Sequence, residues 1–143
     1  MPFAPHKTTV LVVEDDPDLR ALYRTSLTVA GYAVVAVEDG IDALRHIEGS
    51  GIPGAVILDL ALPRLSGRDV HRELAAHPAT SKIPIVVVTG SDISDLNKRE
   101  FACVLRKPVH VESLLYAVQK CLRGAKVPAA VAFPGVITSI AGE

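Results

Sequence analysis

Apolar runs and amphipathic stretches alternate along the chain. Val10–Val13, Tyr32–Val37, Ala55–Leu58 and Ile83–Val88 are short, continuous and rich in β-branched residues, and Cys103–Leu105 is a briefer fifth run. Runs of this length with no polar alternation are expected of strands buried on both faces. Between them, apolar residues recur at helical spacing. Leu19, Leu22, Tyr23, Leu27 and Ala30 form one stripe, and Ile41, Leu44 and Ile47 a second. Val70 and Leu74 mark a third, and Val111, Leu114, Leu115, Val118 and Leu122 the last. The stretch Asp92–Phe101 reads as a weak, polar helix.

Punctuation supports these boundaries. Asp16-Pro17 fits an N-cap followed by proline at the first helical position, and Gly31 a C-terminal stop. Glu38-Asp39-Gly40 opens the second helix, and residues 49–54 form a loop rich in glycine. Ser66 with Asp69 resembles a capping box, and Gly124 ends the last helix. Five strands alternating with five helices predict an α/β fold built from βαβ units. Its doubly wound parallel sheet would have the order 2-1-3-4-5 of flavodoxin-like folds. Ligands in such sheets bind beyond the carboxyl ends of the strands, at the switch point between strands one and three.

Composition narrows the class. A chain of 143 residues, 49% hydrophobic, suits one domain with a sizeable core. A formal net charge of −1 gives no basic footprint for nucleic acid or an anionic membrane. Prolines and charges interrupt every candidate membrane span, and residues 1–9 lack the apolar core of a signal peptide. Cys103 and Cys121 form no metal-like or redox-like pair and read as small buried residues in a reducing cytosol. The expected location is the cytoplasm.

The candidate chemistry lies at the strand ends. Glu14, Asp15 and Asp16 follow the first strand and Asp59 the third. A carboxylate there is costly unless it is paired, hydrated or holding a cation. Asp16 belongs to the helix cap. Glu14, Asp15 and Asp59 form an oxygen donor set of the kind Mg²⁺ takes. Asp59 is the candidate nucleophile, since a carboxylate can form an acyl phosphate. Thr89 and Lys107 close strands four and five, and would supply a hydroxyl donor and a point charge for phosphoryl oxygens.

Four stretches carry a resemblance: residues 10–17, residues 56–67 from Val56 through Asp59 and Pro63 to Gly67, residues 83–90, and Lys107-Pro108. In this order they resemble the receiver domain of two-component response regulators, over about residues 8–123. The resemblance implies that Glu14 and Asp15 are an acidic pair binding Mg²⁺ with Asp59. It further implies that Asp59 is the phosphoacceptor, Thr89 the switch hydroxyl and Lys107 the phosphate-sensing lysine, followed by a cis peptide to Pro108. It implies a histidine kinase or phosphotransfer protein as the phosphoryl source, with no enzymatic activity beyond self-catalysed acceptance and autodephosphorylation.

The chain departs from the family pattern in three places. Val104 stands where the family often has an aromatic residue that reports phosphorylation by ring rotation. The segment from Thr89 to Lys107 is several residues shorter than usual, so the fourth helix should be short or irregular. Gly90 replaces the usual Ala. The expectation is a single-domain switch or phosphorelay protein with an unidentified downstream partner and scope for a homodimer. One alternative is an interaction module of the same fold that works without phosphorylation. A flavin enzyme is disfavoured, because Glu14, Asp15 and Asp16 would repel the flavin phosphate. Residues 124–143 read as an apolar tail, with residues 131–141 expected to be mobile in the isolated monomer and ordered by self-association or a partner.

Overall fold

A computed structural model describes residues 8–123 and the backbone of residues 138–139. Five parallel strands form the sheet: β1 (Thr9–Val13), β2 (Ala33–Val37), β3 (Ala55–Leu58), β4 (Ile85–Thr89) and β5 (Cys103–Arg106). Four helices connect or follow them: α1 (Pro17–Val29), α2 (Gly40–Ser50), α3 (Gly67–Ala76) and α4 (Val111–Leu122). The parallel order is 2-1-3-4-5, as the alternation of patterns predicts.

Each strand contributes to both cores because successive side chains point to opposite faces. Val10 and Val12 of β1, Ile57 of β3 and Val86 and Val88 of β4 pack with Tyr23 and Leu27 of α1 and Leu114 and Val118 of α4. Leu11 and Val13, Val56 and Leu58, and Val87 pack on the other face with Ala43 and Ile47 of α2 and Val70 and Leu74 of α3. Every residue of β3 and β4 is buried, which is why these strands read as unbroken apolar runs. Cys103 and Cys121 are buried free thiols within the first core, and burial pushes them up to about 12 and about 11. No described helix is long and apolar enough to cross a membrane.

The helix starts follow the sequence closely. Asp16 accepts hydrogen bonds from the Asp18 and Leu19 amides through Oδ1, at 2.8 and 3.2 Å. Asp39 accepts from Asp42 N–H and Ser66 Oγ from Asp69 N–H. Several boundaries move. α2 runs through Ser50 into the expected loop, and β4 begins at Ile85 and includes Thr89.

Two features correct the expectation of five helices and five strands. Residues 92–101 contain no α-helix, only a single 3₁₀ turn at Lys98–Glu100. Short polar side chains bind the backbone locally there: Asp92 Oδ1 accepts from Ser94 N–H and Asn97 Oδ1 from Arg99 N–H. Such turns compete with helical hydrogen bonds. Ile93 and Phe101 still bury themselves in the second core, so the segment is anchored without being helical. The second correction is a sixth strand, β6 (Thr138–Ser139), antiparallel to β5, with Ser139 opposite Val104 and Thr138 opposite Leu105. The rest of residues 124–143, including Gly124 and the remainder of the apolar tail, lies outside the described residues.

Candidate functional site

The carboxyl ends of β1, β3, β4 and β5 converge because the parallel register aligns them. Val13 pairs with Leu58, Leu58 with Val87, and Thr89 with Arg106. Backbone bonds extend this alignment one residue further. Asp59 N–H donates to Val13 O at 3.1 Å, and Lys107 N–H to Thr89 O at 3.0 Å. Glu14 N–H donates to Val37 O at 3.1 Å. Glu14, Asp59, Thr89 and Lys107 are thereby placed by the sheet itself.

Their side chains form one connected group. Lys107 Nζ lies 2.8 Å from Asp59 Oδ2 and 2.9 Å from Glu14 Oε1. Glu14 is 1% and Asp59 4% exposed, whereas Asp15 is exposed. One carboxylate oxygen from each of Glu14, Asp15 and Asp59 falls within 4.8 Å of the others. Burial raises the Glu14 carboxyl above its ordinary range, and the Lys107 hydrogen bond only partly opposes this. Burial works to lower the Lys107 ammonium, but its hydrogen bonds to Asp59 and Glu14 prevail and raise it. Two buried carboxylates therefore hold one lysine that stays charged, with the Asp15 carboxylate beside them. Oxygen-only donors with uncompensated negative charge fit a hard divalent cation.

The surrounding backbone sets the remaining orientations. Glu14 Oε2 accepts from Asp16 N–H at 3.1 Å and Asp59 Oδ1 from Ala61 N–H at 3.1 Å. Thr89 is fully buried, and its Oγ1 accepts from Ser91 N–H at 3.1 Å. Gly67 lies against the Asp59 carbonyl so closely that a Cβ would overlap it, so α3 starts in contact with the Asp59 backbone. The Lys107–Pro108 peptide is cis, as the resemblance implies. Asp16 caps α1 and is absent from the carboxylate cluster, as its neighbour Pro17 suggests.

Sequence reasoning missed Arg20. Its Nη1 donates to the Glu14 and Asp15 carbonyls at 3.0 and 3.3 Å, bracing the acidic turn from α1. Its place one turn into the helix after Asp16-Pro17 was the available signal.

The sequence profile of the response regulator receiver domain matches residues 10–119. The chain belongs to that family. This receiver is 36% identical over 124 residues to the response regulator MprA of Mycobacterium ulcerans, covering 82% of this chain and 51% of that protein. The MprA of Mycobacterium tuberculosis is also 36% identical over 123 residues, with 82% and 51% covered. The receiver thus spans about half the length of the curated relatives it matches. Among solved structures it resembles the receiver domain of the sensor histidine kinase PA1611 of Pseudomonas aeruginosa, which has a magnesium ion coordinated in its active-site cleft. Identity is 28%, the TM-score is 0.72, and 82% of this chain and 99% of that one are covered. It also resembles the receiver domain of a signal transduction histidine kinase from Syntrophus aciditrophicus at 25% identity and a TM-score of 0.74, with 89% and 98% covered.

Proposed function

We propose that this receiver is a Mg²⁺-dependent phosphoacceptor, working in the cytoplasm as a signalling switch or relay, with Asp59 as the residue that takes the phosphoryl group. The observation that carries the reading is Lys107 Nζ hydrogen-bonded to both Asp59 and Glu14 beside Asp15. A histidine kinase or phosphotransfer protein is the natural donor. An Asp59 oxygen forms the bond to phosphorus while the phosphorus–nitrogen bond of the donor phosphohistidine breaks. The electron pair leaves with the imidazole, which takes up a proton.

Phosphoryl transfer of this kind depends mostly on positioning and electrostatics. Mg²⁺ would be held by Asp15, Asp59 and Glu14, and when bound it neutralises charge on the phosphoryl oxygens. Lys107 supplies a fixed positive charge at the Asp59 carboxylate. Ala61 N–H holds Asp59 Oδ1, which limits rotation of the acceptor. The Thr89 hydroxyl can donate its proton to a phosphoryl oxygen while its Oγ1 accepts from Ser91 N–H, which couples the loop after β4 to the state of Asp59. Val104 is buried on β5 and has no ring to rotate, so this loop is the route by which the state would be reported.

The test is intact-mass analysis after acetyl phosphate with Mg²⁺, on the protein and on Asp59→Asn. One phosphoryl increment is expected on the former and none on the latter. Full labelling of Asp59→Asn would remove Asp59 from this role. No labelling of the unaltered protein would favour an interaction module that works without phosphorylation.

A further inference from the structure

Arg64 is the only described residue other than glycine with a positive φ, at 66°. A bulky side chain seldom adopts this left-handed conformation, and it persists where the surroundings hold it. The holding group is Asp39, 25 residues away in sequence. Arg64 Nη1 lies 3.0 Å from Asp39 Oδ2, while Asp39 Oδ1 caps α2 through Asp42 N–H at 2.9 Å. Asp39 is only 3% exposed, so its carboxylate depends on these partners. Next to it, Gly40 sits where a Cβ would collide with the Leu65 carbonyl and the Val70 side chain. The loop leaving β3 therefore rests on the start of α2 as well as being tied to it.

That loop begins with Asp59. Its internal bonds are few and local: Ala61 N–H to Asp59 Oδ1, Leu65 N–H to Pro63 O, and Gly67 N–H to Leu60 O. In the sheet order β2-β1-β3, Asp39 follows β2 and Arg64 follows β3, so the pair ties together the loops flanking the β1 end that carries Glu14 and Asp15. Glu38, Asp39 and Asp42 bring carboxylate oxygens within 4.8 Å of one another, and the Arg64 guanidinium is set against this group.

We propose that the Asp39–Arg64 pair is a strut that positions the Asp59 loop, making Arg64 and Asp39 positioning residues for phosphoryl acceptance. The inference rests on the phosphoacceptor reading of Asp59. Slack in the loop misplaces the Asp59 oxygen relative to Lys107 and the acidic pair. Misplacement of a reacting group by an ångström can lower a rate as much as ~100-fold, and partial slack less.

Asn allows a direct test at both positions. It tolerates the left-handed conformation at residue 64 and caps a helix at residue 39, so Arg64→Asn and Asp39→Asn remove charge while keeping the local backbone preference. With acetyl phosphate and saturating Mg²⁺, each variant should lower the maximal labelling rate by about 5–10-fold, within the range that misplacement produces. The donor concentration for half-maximal rate and the Mg²⁺ affinity should stay within about twofold, since the strut touches neither ligand. The double variant should be no slower than either single, and Arg64→Lys should recover most of the rate. Amide exchange at Ala61, Leu65 and Gly67 should accelerate in both variants, with α1 and α4 unchanged.

Opposite signs, with Asp39→Asn faster and Arg64→Asn slower, would show a charge effect and overturn the strut. So would additive losses, or unchanged rates with unchanged exchange. If the unaltered protein takes no label, the phosphoacceptor reading fails, and unchanged exchange in the variants would then overturn the strut independently.

Discussion

Replacing Lys107 with Met removes the ammonium and keeps an apolar stem. The ammonium bonds Glu14 at 2.9 Å and Asp59 at 2.8 Å, and those two side chains are only 2% and 5% exposed. Deleting one partner of a buried ion pair costs about 3–5 kcal/mol, because the remaining charge is left uncompensated. Lys107 itself is 22% exposed, which places the loss at the lower end, about 3 kcal/mol in metal-free buffer near pH 8. For a domain of this size that is about 6–12 °C in Tm.

The pH dependence follows from Glu14. Burial already raises its folded-state carboxyl above the reference value of 4.5, and losing Lys107 raises it further. A raised carboxyl favours folding most below the unfolded value and loses that contribution as pH rises through the folded value. The gap between variant and unaltered protein should therefore grow as pH rises and Glu14 ionises, on top of the loss at Asp59. Denaturant titrations followed by circular dichroism, in chelator at pH 5 and pH 8, measure it. The pH 8 gap should exceed the pH 5 gap, and Mg²⁺ should narrow the pH 8 gap by replacing the lost positive charge. An equal loss at both pH values, or none at either, would refute the argument that Lys107 compensates buried carboxylates.

Asp15→Asn should weaken Mg²⁺ binding measured by calorimetry more than Asp16→Asn does, because Asp15 lies in the carboxylate cluster and Asp16 caps α1. The reverse order would move the metal site by one residue. Asp16→Ala should instead cost about 1 kcal/mol in denaturant titration, the usual loss for a vacated N-cap. Leu27→Ala, at a fully buried position between α1 and the sheet, should cost about 2–5 kcal/mol, and a loss under ~1 kcal/mol would contradict the packing described. The two-residue β6 is far shorter than an independently stable strand, so Thr138 and Ser139 amides should exchange much faster than those of β4 in a sample that sediments as monomer. Protection equal to β4 would make β6 an integral part of the sheet.

Local rules made much of this receiver legible in its sequence. β-branched apolar runs such as Val10–Val13 and Ile83–Val88 specify doubly buried strands, because polar residues are missing from both faces. Asp16-Pro17, Asp39 and Ser66 specify helix starts, because a cap acts on amides two or three residues away. Glu14, Asp15, Asp59, Thr89 and Lys107 stood out by falling at strand ends, and a parallel sheet brings such ends to one edge. The tertiary structure decided what depends on distant groups. Residues 92–101 carry helical spacing of apolar residues, yet Asp92 and Asn97 turn the backbone on themselves while Ile93 and Phe101 find burial without a helix. The partnership of Arg64 with Asp39, the brace of Arg20 on the acidic turn and the pairing of Thr138–Ser139 with β5 join segments with no shared periodicity. A lone arginine or a short polar strand has the same local energetics wherever it sits, and only the folded chain brings its partner within hydrogen-bond reach.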